Sequence, residues 1–230
     1  MNRRQFCLTA ALALSACALP RAKQTARTQR AFIIHGWGAT PDDHWFARLS
    51  AGLKARGYNV DVPALPDSRH ADFQAWQRTL AEHIGMPQPD DLFIAHSLGN
   101  ISLLHYLSHT RPPEIGGLVL VSGFAGKLPR LPEIEGYSID RYVGQARLDL
   151  PAVRRMTANI ACIISANDPI VAPAESMKLA NALGARVITV PDAGHFLASD
   201  GFTELPQAWQ ALDGFANKAV LRIRPQPKAT

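Results

Sequence analysis

The stretch "LFIAHSLGN", residues 92–100, sets a serine at the end of an apolar run and among small residues, Ala95-His96-Ser97-Leu98-Gly99. This is one residue away from the G-x-S-x-G nucleophile elbow, with alanine where the first glycine normally stands. Two readings compete for Ser97. Either a sharp strand-to-helix turn presents its hydroxyl as a nucleophile, or the hydroxyl simply caps the helix that follows, serine being a favoured N-cap. The surrounding chain decides between them.

Outward from this stretch, short apolar runs alternate with helical patterns. "AFIIHG", "YNVDV", "DLFIAH", "GLVLVSG", "ANIACIISA" and "ARVITV" read as six strands, most of them apolar almost throughout. Between them, Thr40-Pro41-Asp42-Asp43 signals a helix start, with Trp45, Leu49 and Leu53 at helical spacing up to Gly57. Residues 70–85 carry Phe73, Trp76, Leu80 and Ile84 on one helical face. Helices are also predicted over "LGNISLLHYLSH", residues 173–184 and residues 203–218, whereas 124–158, with Pro129, Pro132, Gly136, Gly144 and Pro151, reads as irregular. Strand–helix alternation with apolar strands predicts an α/β fold, a six-stranded parallel sheet with helices on both faces. In such sheets reactive groups belong beyond the carboxyl ends of the strands.

Three residues meet that rule. Ser97 follows the third strand, Asp168 in "ISANDPIVAP" the fifth, and His195 in "VPDAGHF" the sixth. A serine hydroxyl needs a neighbouring base, itself oriented by an acid, and the order Ser, Asp, His is that of α/β-hydrolases. Asp192, three residues before the histidine, is the rival acid and reads better as a turn former. The backbone N–H groups of Leu98 and of Trp37, in "HGWGAT", are the expected oxyanion donors. Phe124, Leu128, Leu131 and Tyr137 are candidate acyl-pocket residues, if 124–158 is a partial lid rather than a plain connector. Of the remaining histidines, His96 is expected to shape the elbow, and His35, His44, His70, His83, His105 and His109 read as loop, helix-face or packing residues. No H-E-x-x-H or C-x-x-C spacing occurs, so neither a metal nor another cofactor is expected.

The ends of the chain have a different character. Residues 1–16 hold an arginine pair and a short apolar run, an export-signal pattern resembling the twin-arginine type. Leu14-Ser15-Ala16-Cys17 resembles a lipobox, which makes Cys17 the expected lipidation site. Arg21, Lys23, Arg27 and Arg30 give residues 17–30 a basic, acid-free tether; Lys218, Arg222, Arg224 and Lys228 do the same for a tail over 218–230. The body, 31–217, carries all 19 of the acidic residues. The pI of 9.4 therefore comes from the ends. That distribution suits a tethered domain beside anionic lipid, not a basic nucleic-acid groove, so no nucleic-acid partner is expected. The expected location is the periplasmic face of a bacterial membrane, through the lipid anchor. Cys162, the one cysteine outside the signal and lipobox, reads as a small buried hydrophobe.

"IIHGWGATPDDHWF", "IAHSLGN", "NDPIVAP" and "GHF" together resemble the small α/β-hydrolases of the retinoblastoma-binding-protein-9/YdeN family of serine hydrolases, from about Ala31 to Phe215. The resemblance implies a compact six-stranded hydrolase without an antiparallel edge strand, with nucleophile, acid and base at Ser97, Asp168 and His195. The expected substrate is a small-molecule ester, small or short in its acyl part. A non-enzymatic binding protein that retains the fold is the alternative.

Overall fold

The computed structural model describes residues 28–128, 131–133 and 135–223. The predicted signal, Cys17 and the tether as far as residue 27 lie outside them, as does the tail from 224.

Six strands form one sheet: β1 (Arg30–Ile34), β2 (Asn59–Asp61), β3 (Leu92–His96), β4 (Gly117–Val121), β5 (Ile160–Ser165) and β6 (Arg186–Val190). The spatial order is β2-β1-β3-β4-β5-β6, and every pairing is parallel. β3 sits inside the sheet, buried at all five positions. Alternate residues of each inner strand feed opposite cores, because side chains on a strand alternate with period two. Phe93 and Ala95 join Phe32, Leu120 and Cys162 on one face. Leu92 and Ile94 join Ile33, Val119 and Ile163 on the other.

The first face is covered by α2 (Phe73–Ile84), α3 (Leu98–Thr110), α5 (Leu150–Met156) and α6 (Pro173–Leu183), and the second by α1 (Phe46–Ala55) and α7 (Pro206–Ile223). The buried face of α2 consists of Phe73, Trp76, Leu80 and Ile84, as its spacing predicts. α3 is buried nearly all round, ten of its thirteen residues being enclosed, which is the condition of a helix packed between sheet and neighbouring helices.

Helix starts depart most from the sequence reading. Thr40 does not cap α1; the Asp43 carboxylate accepts its N–H and hydroxyl at 2.7 and 2.9 Å, closing a turn, and the helix begins at Phe46. α2 begins at Phe73 instead of 70, because Asp72 caps it by accepting the Ala75 N–H at 2.7 Å. Residues 124–158 are not irregular throughout. They contain α4 (Ile139–Val143) and α5, capped by Ser138 and Asp149. At five and seven residues they are too short to display a helical period, and only their caps mark them.

The termini of the sheet domain also carry structure. Arg30, counted with the basic tether by its charge, opens β1, and its guanidinium forms a two-pronged pair with the buried Asp91 carboxylate at 2.5 and 2.9 Å. α7 runs on through Ile223, past the expected domain end at 217. Cys162 is buried in β5, and burial pushes its thiol up to about 12, so it is a packing residue.

Candidate active site

The parallel sheet gathers the ends of β3, β5 and β6 at one edge, and all three predicted residues meet there. Ser97 lies between β3 and α3 with φ 51° and ψ −125°, a backbone conformation costly for a side-chain-bearing residue. Hydrogen bonds hold it in place. Ser97 N–H donates to Val121 O at 3.0 Å, and the Asn100 side-chain amide donates to Ser97 O and Val121 O, both at 3.0 Å. Gly99 explains the small residue on the far side of the turn, since a Cβ there would lie 2.4 Å from His35 O. Ala95 is different: it points into the first core with no exposure, so its methyl group is accommodated.

Ser97 does not cap α3. Its side chain makes no capping bond, and its hydroxyl instead lies 2.8 Å from His195 Nε2. On the other side of the ring, His195 Nδ1 is 2.8 and 3.0 Å from the two Asp168 oxygens. An ionised carboxylate can only accept, so the proton sits on Nδ1, and Nε2 is left bare to receive the serine hydroxyl. Asp168 is further bonded by the Ser122 hydroxyl at 2.7 Å and by the N–H groups of Ile170 and Val171 at 2.9 Å. Burial pushes its carboxyl up, but the His195 bond and charge, with the Ser122 and Val171 bonds, overcome this and hold it below the usual carboxylate range.

Asp192, the rival acid, stands apart from the ring. It occupies a left-handed turn position at φ 49° and accepts weakly from Asn167 at 3.5 Å. The carboxylate that does support His195 besides Asp168 is Asp200, which accepts the His195 and Leu197 N–H groups at 2.8 and 3.0 Å. Asp200, Ser122 and Asn100 went unmarked in the sequence. Position alone could have suggested Ser122, directly after β4, and Asn100, in the first turn of α3; Asp200, ten residues past β6, carries no such signal.

His96, expected to shape the elbow, reaches across to the backbone of His195. Its Nε2–H donates to His195 O at 2.9 Å, and its ring lies 4.9 Å from that of His195. Burial, then the neighbouring His195, His44 and His35, hold it well below the usual histidine value, so it stays neutral. His35, also buried, accepts the Leu65 N–H through Nε2 at 3.1 Å while Nδ1–H donates to Gly36 O at 3.0 Å, fixing the loop after β1. That loop presses on the elbow: a Cβ on Gly36 would lie 2.9 Å from Ser97 Cβ and 3.3 Å from the Leu98 nitrogen. Leu98 N–H, at the first position of α3, precedes the helix's own hydrogen-bond ladder. Trp37 N–H has no acceptor among the described residues.

A cavity of ≈ 200 Å³ opens beside Ser97 and His195. One wall is apolar, made by Phe124, Leu128, Leu131, Ile139, Ile170 and Val171; Trp37, Arg69, His44 and Leu197 also border it. Three of the four expected pocket residues are in this wall. Tyr137 is not; it stacks on Trp37 with ring centres 6.4 Å apart and donates its hydroxyl to Ala71 O at 2.9 Å. Burial raises its phenol above the range of ordinary solutions. A larger depression of ≈ 510 Å³ lies at the amino ends of the strands, among Gln29, Tyr58, Asp90 and Asn159, at the opposite end of the sheet from Ser97. Among the described residues no group of three or more His, Cys, Asp or Glu side chains is arranged to hold a metal ion.

Known proteins resemble this chain in sequence and in fold. Residues 31–214 match the Serine hydrolase family model. The Bacillus subtilis (strain 168) protein YdeN, named as a hydrolase, is 32% identical over 192 residues, covering 83% of this chain and 98% of YdeN. The crystal structure of the ydeN gene product superposes with a TM-score of 0.75 at 31% identity, over 83% of this chain and 100% of that one. Est1E from Butyrivibrio proteoclasticus shares the fold with a TM-score of 0.58 at 14% identity, over 81% of this chain and 89% of its own.

Proposed function

Because this chain belongs to the serine hydrolase family, we propose that it hydrolyses a small or short-acyl ester through a Ser97–His195–Asp168 triad. The observation that carries this reading is the continuous bonded path from the strained Ser97 hydroxyl through the His195 ring to the Asp168 carboxylate, at the edge of an apolar cavity. Ser97 Oγ attacks the ester carbonyl while its proton passes to His195 Nε2. The tetrahedral oxyanion is held by the N–H groups of Leu98 and Trp37. As the intermediate collapses, the C–O bond to the leaving group breaks and His195 returns the proton to the departing alcohol. Water then repeats the cycle on the acyl-enzyme, releasing the acid and restoring Ser97. Asp168 keeps the Nδ1 proton in place and stabilises the transient imidazolium.

The apolar wall receives the acyl chain, and ≈ 200 Å³ suits a short one better than a long fatty acid. The test is a series of p-nitrophenyl esters of graded chain length with Ser97→Ala as control. Hydrolysis should peak at short chains and vanish in the variant. Turnover that persists in Ser97→Ala, or none on any ester, counts against this assignment.

Export and lipidation at Cys17 complete the proposal, supported by the signal and lipobox patterns of residues 1–17 and by the acid-free basic ends. Among the described residues no helix is long and apolar enough to cross a membrane. Processing sensitive to globomycin, and membrane fractionation lost in Cys17→Ala, are the expected results. A soluble exported product with an unmodified Cys17 would contradict the anchor.

A further inference from the structure

His44 borders the same cavity as Ser97 and His195, although the sequence gives it no more than a loop role. It stands at φ 54°, in the left-handed region that few side-chain-bearing residues occupy and in which histidine is among the better tolerated. Its Nδ1 accepts the Ala198 N–H at 3.0 Å. That bond fixes the tautomer, because a ring nitrogen that accepts carries no proton, and the proton must reside on Nε2. Burial lowers the His44 pKa most strongly; Asp43 and Asp200 pull it up and the nearby His195 pushes it down, with a net shift below the usual histidine value that leaves the ring neutral at ordinary pH. Nε2–H is then the one polar group that the ring has left to offer, and it has no acceptor among the described residues.

The position of His44 tells which part of a substrate it meets. Its ring packs on Phe46 at 5.4 Å and on His96 at 5.9 Å, and His96 lies 4.9 Å from His195. His44 thus stands with the rings of the second face. The acyl wall of Phe124, Leu128 and Ile139 belongs to the first core. During acyl transfer the leaving group must lie over His195, which protonates it.

Resting on the ester-hydrolase reading above, we infer that His44 Nε2–H is a specificity-determining hydrogen-bond donor to the leaving group, so that the favoured substrates are esters whose alcohol carries a further acceptor oxygen close to the ester bond. A neutral donor suits this place, since it binds that oxygen without a second positive charge beside the imidazolium that forms on His195.

Two matched esters, 2-methoxyethyl butanoate and n-butyl pentanoate's shorter homologue n-butyl butanoate, differ at the leaving chain by an ether oxygen in place of a methylene. Two variants separate the ring's nitrogens. His44→Asn retains an acceptor for Ala198 N–H at the Nδ1 position and loses the Nε2 donor; His44→Gln offers a donor at the Nε2 position and loses the anchor. The purified wild type should prefer the methoxyethyl ester in kcat/KM by about three- to tenfold, the worth of one ordinary hydrogen bond. His44→Asn should abolish that preference and His44→Gln should keep most of it. Equal rates on both esters in the wild type overturn the inference. So does a preference that survives in His44→Asn, or one lost only in His44→Gln, which would assign His44 to anchoring the Ala198 turn. Fluorophosphonate labelling of Ser97 in parallel separates this outcome from failure of the triad: labelled Ser97 with no leaving-group preference removes the donor role alone, while unlabelled wild type removes both.

Discussion

Two regions meet at the cavity, and they are built differently. The corner that carries Ser97, Asp168 and His195 is bonded from several directions. Val121 and Asn100 hold the elbow, Ser122 and two backbone amides hold the acid, and Asp200 with His96 holds the His195 backbone. The wall of Phe124, Leu128, Leu131 and Ile139 is apolar, and its surroundings are fastened mainly at the rim. There Arg69 pairs with Glu135 at 3.0 Å, Trp37 stacks on Tyr137, and Leu128 N–H donates to Asp140 at 2.6 Å. The exposed ion pair contributes little to stability. The difference separates two tasks: a strained nucleophile requires surroundings that over-determine it, whereas choice of acyl group needs only a shaped apolar surface.

The largest effect should come from the corner. Ser97→Ala is expected to lower kcat by roughly 10⁶-fold, by analogy with other serine nucleophiles, with thermal unfolding little changed. Gly99→Ala strikes the same corner through the backbone. Its methyl group would press against His35 O, and a loss of about 1–3 kcal/mol in denaturant unfolding is expected; unchanged stability would mean that the elbow tolerates more room than its geometry indicates.

Acidity sharpens the contrast further, because the corner buries neutral histidines. His96 has its folded-state pKa held well below the ordinary value of 6.5. Below that value the unfolded chain binds a proton that the folded chain refuses, so stability falls as pH drops. The expected contribution is up to ~1.4 kcal/mol per pH unit below about 6, and His96→Gln should flatten the slope in thermal melts between pH 7 and 5. Asp168, depressed in the folded state, adds a separate loss at more acidic pH, as the pH falls through its folded-state pKa. Smaller still, Ser122→Ala removes one of the bonds to Asp168 and should reduce kcat/KM about three- to tenfold. On the wall, Leu131→Ala should leave Ser97 labelling intact and shift preference toward longer acyl chains by a few-fold. Were Ser122→Ala to alter chain-length preference, or Leu131→Ala to abolish labelling, the division between corner and wall would fail.

The same division governs what the sequence discloses. Ser97, Asp168 and His195 are legible because the strands announce themselves as apolar runs, and each residue directly follows one. The missing glycine at 95 is no obstacle, since the close approach is made by Gly99 and Gly36. Positioning residues are harder to read. Ser122, Asn100 and Asp200 act through bonds that span 46 residues in the Ser122–Asp168 case, and no local pattern encodes that pairing. His44 looks like an ordinary loop histidine until Ala198, 154 residues away, fixes its tautomer. Helix starts misled for a related reason: Thr40 and Asp43 have the chemistry of a capping box but close a turn ahead of the helix. Short helices such as α4 leave only a cap and no period.

Fluorophosphonate labelling of the native protein followed by peptide mapping tests the central claim most directly. A single adduct on Ser97 is expected, absent after denaturation and absent in His195→Ala. An unlabelled native Ser97, or an adduct at another serine that persists in Ser97→Ala, would contradict it.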